Sequence, residues 1–357
     1  MQAPELVAEV QRVIPDLDAV EERLHQEPER VLAHALKRPD RPSARAIVGA
    51  PPDEIPPELL EPYGPGLERT LDGARRAVRK IRREGRDADL QPDERAGTEA
   101  IILMFGRPAI LIQDGRFFPP PTPWEKLEDK RDAIQATFAS VGRIEVTGHP
   151  RYKWVGTGFL VFDDVVLTNR HVVKEFARPV GGSRWEFERG MKARIDFGEE
   201  FGSAFAREFP FTEIVGVHED VDLALLRVAK KAARRSLPSP LVVDADPRRV
   251  KKGREVYVVG YPAADPGRND PEVMARIFAN IFEVKRLQPG TIRRRQGQLF
   301  QHDCSTLGGN SGSCILDLEK VTVIGLHFQG TYLKSNTAIT LAELANDPLV
   351  KGNVAFA

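Results

Sequence analysis

Cysteine is nearly missing from this chain, with two residues, Cys304 and Cys314, in 357. That excludes a disulfide framework as the main source of stability and fits a reducing compartment, where both side chains are expected as thiols. A redox switch between them is the alternative, since they flank one short loop. Net charge is missing too: 52 Lys and Arg stand against 52 Asp and Glu. No global field therefore draws the chain to nucleic acid or to an anionic membrane. No run approaches the ~18 uncharged apolar residues of a membrane span. The start, MQAPELVAEVQRVIPDLDAVEERL, is acidic and amphipathic and lacks the basic-then-apolar order of a secretory leader. The expectation is a cytoplasmic protein with neither membrane nor nucleic acid among its partners. No HExxH, P-loop or CxxC pair occurs, so no metal and no cofactor are expected.

Proline is plentiful, with 28 residues, many of them in the first 125. Residues 1–40 read as short helices. Leu17, Val20 and Leu24 share a face, Asp16 is placed to cap, and Pro28 suits the first turn of the next helix. Residues 38–65 hold too much proline for regular structure and read as an extended connector. Over 66–84 the spacing of Leu67, Leu71, Ala74, Val78 and Ile81 predicts a helix whose other faces carry Arg75, Arg76, Arg79, Lys80, Arg82 and Arg83. Such a face is either a docking surface or simply solvated, and the absence of interleaved aromatics argues against nucleic acid. Residues 85–98 read as a loose polar segment. Residues 100–117 read as two strands around Phe105-Gly106-Arg107-Pro108, and 125–138 as an amphipathic helix. The chain thus divides into a helical, proline-rich region over 1–98, a β-hairpin and helix over 99–139, and a remainder over 140–357. From about 140 onward short β-rich runs follow one another with turn residues between them, the texture of a barrel or sandwich.

Three stretches of that remainder carry chemistry. In Gly308-Gly309-Asn310-Ser311-Gly312-Ser313, a serine sits among small residues that allow a sharp turn and a close approach to backbone N–H groups. A nucleophilic hydroxyl with an oxyanion hole needs that combination, although such clusters are also ordinary turns. In WVGTGFLVFDDVVLTNRHVV, His171 stands just past the end of an apolar run, where it can serve as a general base near neutral pH or as a structural residue. In HEDVDLALLRV, Asp222 directly precedes Leu223-Ala224-Leu225-Leu226. A carboxylate there is costly unless paired, and a histidine ring N–H is a suitable partner. Asp220 is the rival for that role, and a strand-entry turn is the plain reading. The order His171, Asp222, Ser311 is the chymotrypsin order, unlike those of subtilisin and the α/β-hydrolases.

With these motifs in hand, GTGFLV…LTNRHVV, VDLALL and HDCSTLGGNSGS…VIGLHFQG closely resemble the bacterial trypsin-like serine peptidases of the chymotrypsin fold. STLGGNSGS is especially similar to the glutamyl endopeptidases. The likeness covers roughly 140–345 and leaves residues 1–120 unexplained. It implies a mainly β protein with two barrels, over about 140–235 and 240–345, behind the helical N-terminal region. It implies a serine endopeptidase acting on a protein or peptide substrate, with Ser311 as nucleophile, His171 as base and acid, and Asp222 as the orienting carboxylate. The N–H groups of Gly309 and Ser311 would form the oxyanion hole, and the strand from Ile324 to Gly330 would pair with substrate. Ser305 and Thr306 would line the primary pocket, which has no carboxylate at its base. His327 would stand where glutamyl endopeptidases place a histidine, which implies cleavage after Glu or Asp. The other reading of His327 is a strand residue with a structural hydrogen bond. His218 and His302 read as isolated structural residues. Asn310 replaces the aspartate that switches trypsin on, so control would come from the N-terminal region or from an effector or activator protein acting through it. The competing reading of the whole chain, a silent protease-fold binding or scaffold module, is disfavoured by the intact triad.

Overall fold

The structure is a computed structural model that describes residues 3–14, 16–26, 65–102, 106–121, 123–181, 184–203, 205–232, 235–264, 278, 281–331 and 335–357. The connector expected over 38–65 and the turn at Pro28 lie almost wholly outside the described residues. The chain divides into two compact units. One comprises Met1–Ile110, Phe117–Lys130 and Asp265–Phe282. The other comprises Leu111–Arg116, Arg131–Ala264 and Glu283–Ala357.

The first unit is helical. Helix α1 (Ala3–Val13) and helix α2 (Leu17–Gln26) bury Leu6, Val7, Val10, Val20 and Leu24. The Asp16 carboxylate accepts the N–H of Asp18 at 3.0 Å, as a capping residue does. Helix α3 (Pro65–Glu84) turns Ala74, Ala77, Val78 and Ile81 inward. Its basic side chains find carboxylates within the same unit. Arg75 meets Asp72, Arg76 meets Asp93, Arg79 meets Glu21, Lys80 meets Glu94, Arg82 meets Asp18 and Glu21, and Arg83 meets Glu84. The basic face is therefore ion-paired.

Residues 85–98 depart from expectation. After a 3-10 turn at Gly85–Asp87, helix α4 (Pro92–Ile101) forms. The Glu94 carboxylate reaches back to the Gln91 N–H at 2.8 Å, half of a capping box. Side chains at Gly73 and Gly97 would strike Asp93 O and Ala74 N at 2.3 and 2.2 Å, so these glycines are what let α3 and α4 touch backbone to backbone. The first half of the strand pair expected over 100–117 is also corrected: residues 100 and 101 close α4. Among the described residues of 100–117, the strands are β1 (Ile110–Gln113) and β2 (Arg116–Phe117). Residues 125–138 are a 3-10 turn, Glu125–Lys130, followed by helix α5 (Arg131–Phe138).

The second unit is built of antiparallel strands. Strands β3 (Val141–Thr147), β4 (Trp154–Phe162) and β5 (Val165–Thr168) are followed by the short helix α6 (Arg170–Val173). An outlying hairpin pairs β6 (Ala177–Gly181) with β7 (Arg184–Phe187). Strands β8 (Lys192–Asp196), β9 (Glu208–Val217) and β10 (Ala224–Val228) complete a closed six-stranded barrel in the order β10-β5-β4-β3-β8-β9. Alternate side chains fill it, among them Ile144, Leu160, Val166, Ile195, Phe209 and Leu226, all without exposure. A minor hairpin, β11 (Lys231–Ala232) with β12 (Arg235–Ser236), leads on.

The second barrel uses β13 (Glu255–Gly260), β14 (Arg286–Gln296), β15 (Leu299–His302), β16 (Cys314–Asp317), β17 (Val323–Thr331) and β18 (Ser335–Thr340). They run β13-β16-β17-β18-β15-β14, and β14 returns to β13 to close the ring, with β1 and β2 added beyond β14. Val256, Val258, Ile292, Phe300, Ile315, Ile324 and Ala338 form its core. Two consecutive antiparallel six-stranded barrels are the chymotrypsin arrangement, here with a helical N-terminal region. Among the described residues no helix is long and apolar enough to cross a membrane.

Cutting Leu226 to alanine removes a fully buried side chain from the first barrel. It is expected to lower unfolding stability by about 2–5 kcal/mol. Leu299→Ala, at a position 39% exposed, should cost less than about 1 kcal/mol. Urea denaturation of both variants measures the contrast.

Candidate active site

Strand register explains why His171 and Asp222 meet. Strand β10 pairs antiparallel with β5, with Ala224 opposite Thr168. The residues just before β10 and those just after β5 therefore leave the first barrel at one end. There Asp222 holds His171 at two points. Its Oδ1 accepts the His171 backbone N–H at 2.9 Å, and its Oδ2 lies 2.6 Å from the ring Nδ1. Asn169, the residue capping α6, donates from its side chain to the Asp222 carbonyl at 2.8 Å. Burial alone would raise the Asp222 carboxyl pKa. The hydrogen bonds and charge supplied by His171, with the charge of Arg170, outweigh it and hold the carboxyl below its ordinary value. Asp220 takes no part in this contact: its backbone N–H donates to His218 Nδ1 at 3.1 Å. His218 in turn lies 3.1 Å from Asp347 and ties down the loop that leads to Asp222.

The Ser311 loop comes from the second barrel and is fastened to the first. Thr157 N–H donates to the Ser311 carbonyl at 2.8 Å. A side chain at Gly156 would meet that same carbonyl at 3.0 Å and Val172, the neighbour of His171, at 2.8 Å. The serine loop and the histidine helix thus lie against one glycine. His171 remains 47% exposed and open to solvent.

The backbone of the loop is fixed peptide by peptide. The carbonyl of Gly308 accepts from Ala263 N–H at 2.7 Å, and that of Asn310 from Ser313 N–H at 2.9 Å. In a trans peptide the N–H points opposite to the carbonyl. The N–H groups of Gly309 and Ser311 are therefore turned away from these anchors, and among the described residues neither donates to a backbone carbonyl. Gly309 has φ +84°, and a Cβ there would strike the Trp154 ring at 2.3 Å and Tyr261 O at 2.5 Å. A larger residue is thus excluded by both conformation and space. Two donors side by side, next to a serine, can hold an oxyanion.

The expected pocket residues all belong to the second barrel. His327 on β17 and His302 on β15 flank β18, and both are buried, with Nδ1 of His327 3.1 Å from Nε2 of His302. Nothing local along the chain signals this pairing, since it arises only when β18 is inserted between the two strands. Burial, then the neighbouring His302 and His171, push the His327 pKa well below its ordinary value, so the ring is neutral at neutral pH. Thr306 Oγ is buried and lacks a hydrogen-bond partner. A Cβ at Gly330 would lie 3.4 Å from that oxygen. Ser305 is buried, and its carbonyl accepts from the Gln288 amide. Asp303 is committed elsewhere: it accepts from Thr291 N–H at 2.6 Å and Thr291 Oγ at 3.0 Å, and pairs with Arg293. Cys304 and Cys314 are buried, and burial pushes the Cys314 thiol up to about 12. A single acidic cluster, Glu145, Asp196 and Glu208, has metal-like spacing among the described residues. Arg143 and Arg194 pair with Glu145, Arg194 also pairs with Glu208, and Asp196 Oδ1 accepts the N–H groups of Gly198 and Arg207.

Residues 156–326 match the family described as Trypsin-like peptidase domain. A probable serine protease of Lysobacter enzymogenes is 28% identical over 337 residues, covering 84% of this chain and 85% of that protein. A glutamyl endopeptidase of Staphylococcus aureus is 26% identical over 223 residues, or 59% of this chain and 53% of its own length. Among solved structures, a serine endoprotease from Yersinia pestis is similar at 18% identity and a TM-score of 0.43, over 62% of this chain and 66% of that one. Over residues 156–326 the chain is thus similar to trypsin-like peptidase domains, and it is homologous to bacterial serine proteases and to the staphylococcal glutamyl endopeptidases.

The buried His327 makes a prediction about acid. Its ordinary pKa of 6.5 is depressed by folding. Below about pH 6.5 the unfolded chain takes up a proton that the folded chain does not, so stability falls as pH falls. The melting temperature should drop between pH 7 and pH 5, and the drop should be smaller in His327→Gln. Melting curves at matched ionic strength measure both.

Proposed function

We propose that this protein is a serine endopeptidase in which Ser311, His171 and Asp222 act as a catalytic triad. The observation that carries the reading is the two-point grip of Asp222 on His171 beside the anchored Ser311 loop. With Nδ1–H donated to Asp222, the other ring nitrogen is left as the base. His171 Nε2 takes the proton of Ser311 Oγ as that oxygen bonds to the substrate carbonyl carbon. The carbonyl oxygen becomes negative and is held by the N–H groups of Gly309 and Ser311. Collapse of this intermediate breaks the C–N bond, and the imidazolium gives its proton to the departing amine. Water then repeats the sequence on the acyl-enzyme, returning the acid product and free Ser311.

The reading extends to cleavage after Glu or Asp. A neutral His327 whose Nδ1 accepts from His302 has Nε2–H as a donor. With the unpaired Thr306 hydroxyl, it offers two neutral donors to a carboxylate side chain. Among the described residues, the carboxylate next to Ser305 and Thr306 in sequence, Asp303, is bound to Thr291 and Arg293. The similar protein from Staphylococcus aureus carries the name glutamyl endopeptidase. The reading also includes a cytoplasmic setting, supported by a chain with only two cysteines, both buried. It further includes an effector or activator protein acting through the helical unit, supported by that unit's own apolar core.

A peptide library with mass-spectrometric readout tests the chemistry and the preference together. Ser311→Ala should lose activity by a factor of about 10⁶. Cleavage should follow Glu or Asp, and His327→Ala should erase that preference while leaving a slower, less selective peptidase. Cleavage that survives Ser311→Ala would contradict the triad, and cleavage after Lys or Arg would contradict the pocket.

A further inference from the structure

Thr157, in the middle of β4, is fully buried. A threonine in a barrel strand needs no special explanation, but here every polar group of the residue is committed to an element of the site. Its N–H donates to the Ser311 carbonyl at 2.8 Å. Its carbonyl accepts from Thr168 Oγ at 2.7 Å, at the end of β5 just before His171. Its hydroxyl donates to the Gly309 carbonyl at 2.8 Å and accepts from the Tyr261 N–H at 3.3 Å. The next loop glycine is pressed against it as well: a Cβ at Gly312 would lie 2.0 Å from the Thr157 carbonyl oxygen.

The bond to the Gly309 carbonyl has the largest consequence. The peptides on either side of it are held by Ala263 and by Ser313. The middle peptide, Gly309–Asn310, links the two oxyanion donors. Gly309 is in the left-handed region at φ +84°, and glycine rotates about its backbone bonds with little penalty. The Asn310 N–H of this middle peptide donates to the Leu307 carbonyl at 3.2 Å, a bond internal to the loop, and its Gly309 carbonyl accepts from the Thr157 hydroxyl, the shorter bond and the one that ties the peptide to the first barrel. The hydroxyl therefore helps to set the angle between the N–H of Gly309 and the N–H of Ser311.

We propose that Thr157 is a positioning residue for the oxyanion hole, acting through its hydroxyl on the Gly309–Asn310 peptide. The proposal rests on the serine-peptidase reading above. Thr157→Val keeps the shape of the side chain and removes the hydroxyl. It leaves the Gly309 carbonyl and the Tyr261 N–H unpaired and the middle peptide held only by the longer bond of Asn310 N–H to the Leu307 carbonyl.

Steady-state kinetics on a peptide amide with Glu before the scissile bond, together with inhibition by a peptide boronate, test it. The boronate takes up the tetrahedral geometry and calls on the same donors. Since loss of one donor outright costs about 10²–10³ in kcat, Thr157→Val is expected to lower kcat by about 10–100-fold with KM within about threefold. Boronate inhibition should weaken by the same factor as kcat, and Thr157→Ser should return both to within about threefold of wild type. Thr157→Val at wild-type kcat overturns the proposal, as does Thr157→Ser as impaired as Thr157→Val, which would assign the effect to methyl packing. Melting curves check folding, and if Thr157→Val does not fold, Thr157→Ala replaces it in the same comparison. An inactive wild type, or hydrolysis that persists in Ser311→Ala, overturns the peptidase reading itself. An active wild type, a silent Ser311→Ala and an unaffected Thr157→Val overturn only the role of Thr157.

Discussion

The site depends on one carboxylate. Asp222 sits at the mouth of a barrel strand, partly buried, where a negative charge is tolerated only if it is paired. Its two oxygens are both used on His171, one on the backbone and one on the ring. That double contact fixes the position of α6 and the orientation of the imidazole at once. The strand pairing of β5 with β10 brings the two residues to the same rim, and Asn169 and His218 steady the segments on either side. An orienting carboxylate is useful to catalysis because it fixes the tautomer and stabilises the imidazolium that forms.

A second constraint joins the barrels. The loop that presents Ser311 grows from the second barrel, while the histidine and aspartate belong to the first. Small residues let the two approach: Gly156, Gly309 and Gly312 each occupy a place where a Cβ would collide with backbone or with the Trp154 ring. Backbone hydrogen bonds then set the loop's direction. Most of the apparatus is thus main chain held by main chain.

Much of this was legible in the sequence because the signals were local. The serine among small residues, the histidine after an apolar strand and the aspartate before one each lie within a few positions of a strand end. The β-rich texture after residue 140 pointed to a barrel or sandwich for the same reason. What was hidden depended on partners distant in sequence. The polarity of 85–98 masked α4, whose packing rests on Gly73 meeting Gly97 rather than on an apolar stripe. The apolar run near residue 100 was too short to separate a helix end from a strand. His302 looked solitary until β18 set β15 and β17 on its two sides. Thr157, between two glycines, read as part of a strand motif, and its bonds to Gly309 and Tyr261 appear only when the barrels come together.

The covalent intermediate is the most direct measure of the whole account. The protein is mixed with a Glu-containing peptide ester, quenched in acid, digested and sequenced by tandem mass spectrometry. The account predicts an acyl group on the Ser311 oxygen. An acyl group on any other side chain, or turnover of the ester with no acyl-enzyme trapped, would contradict it.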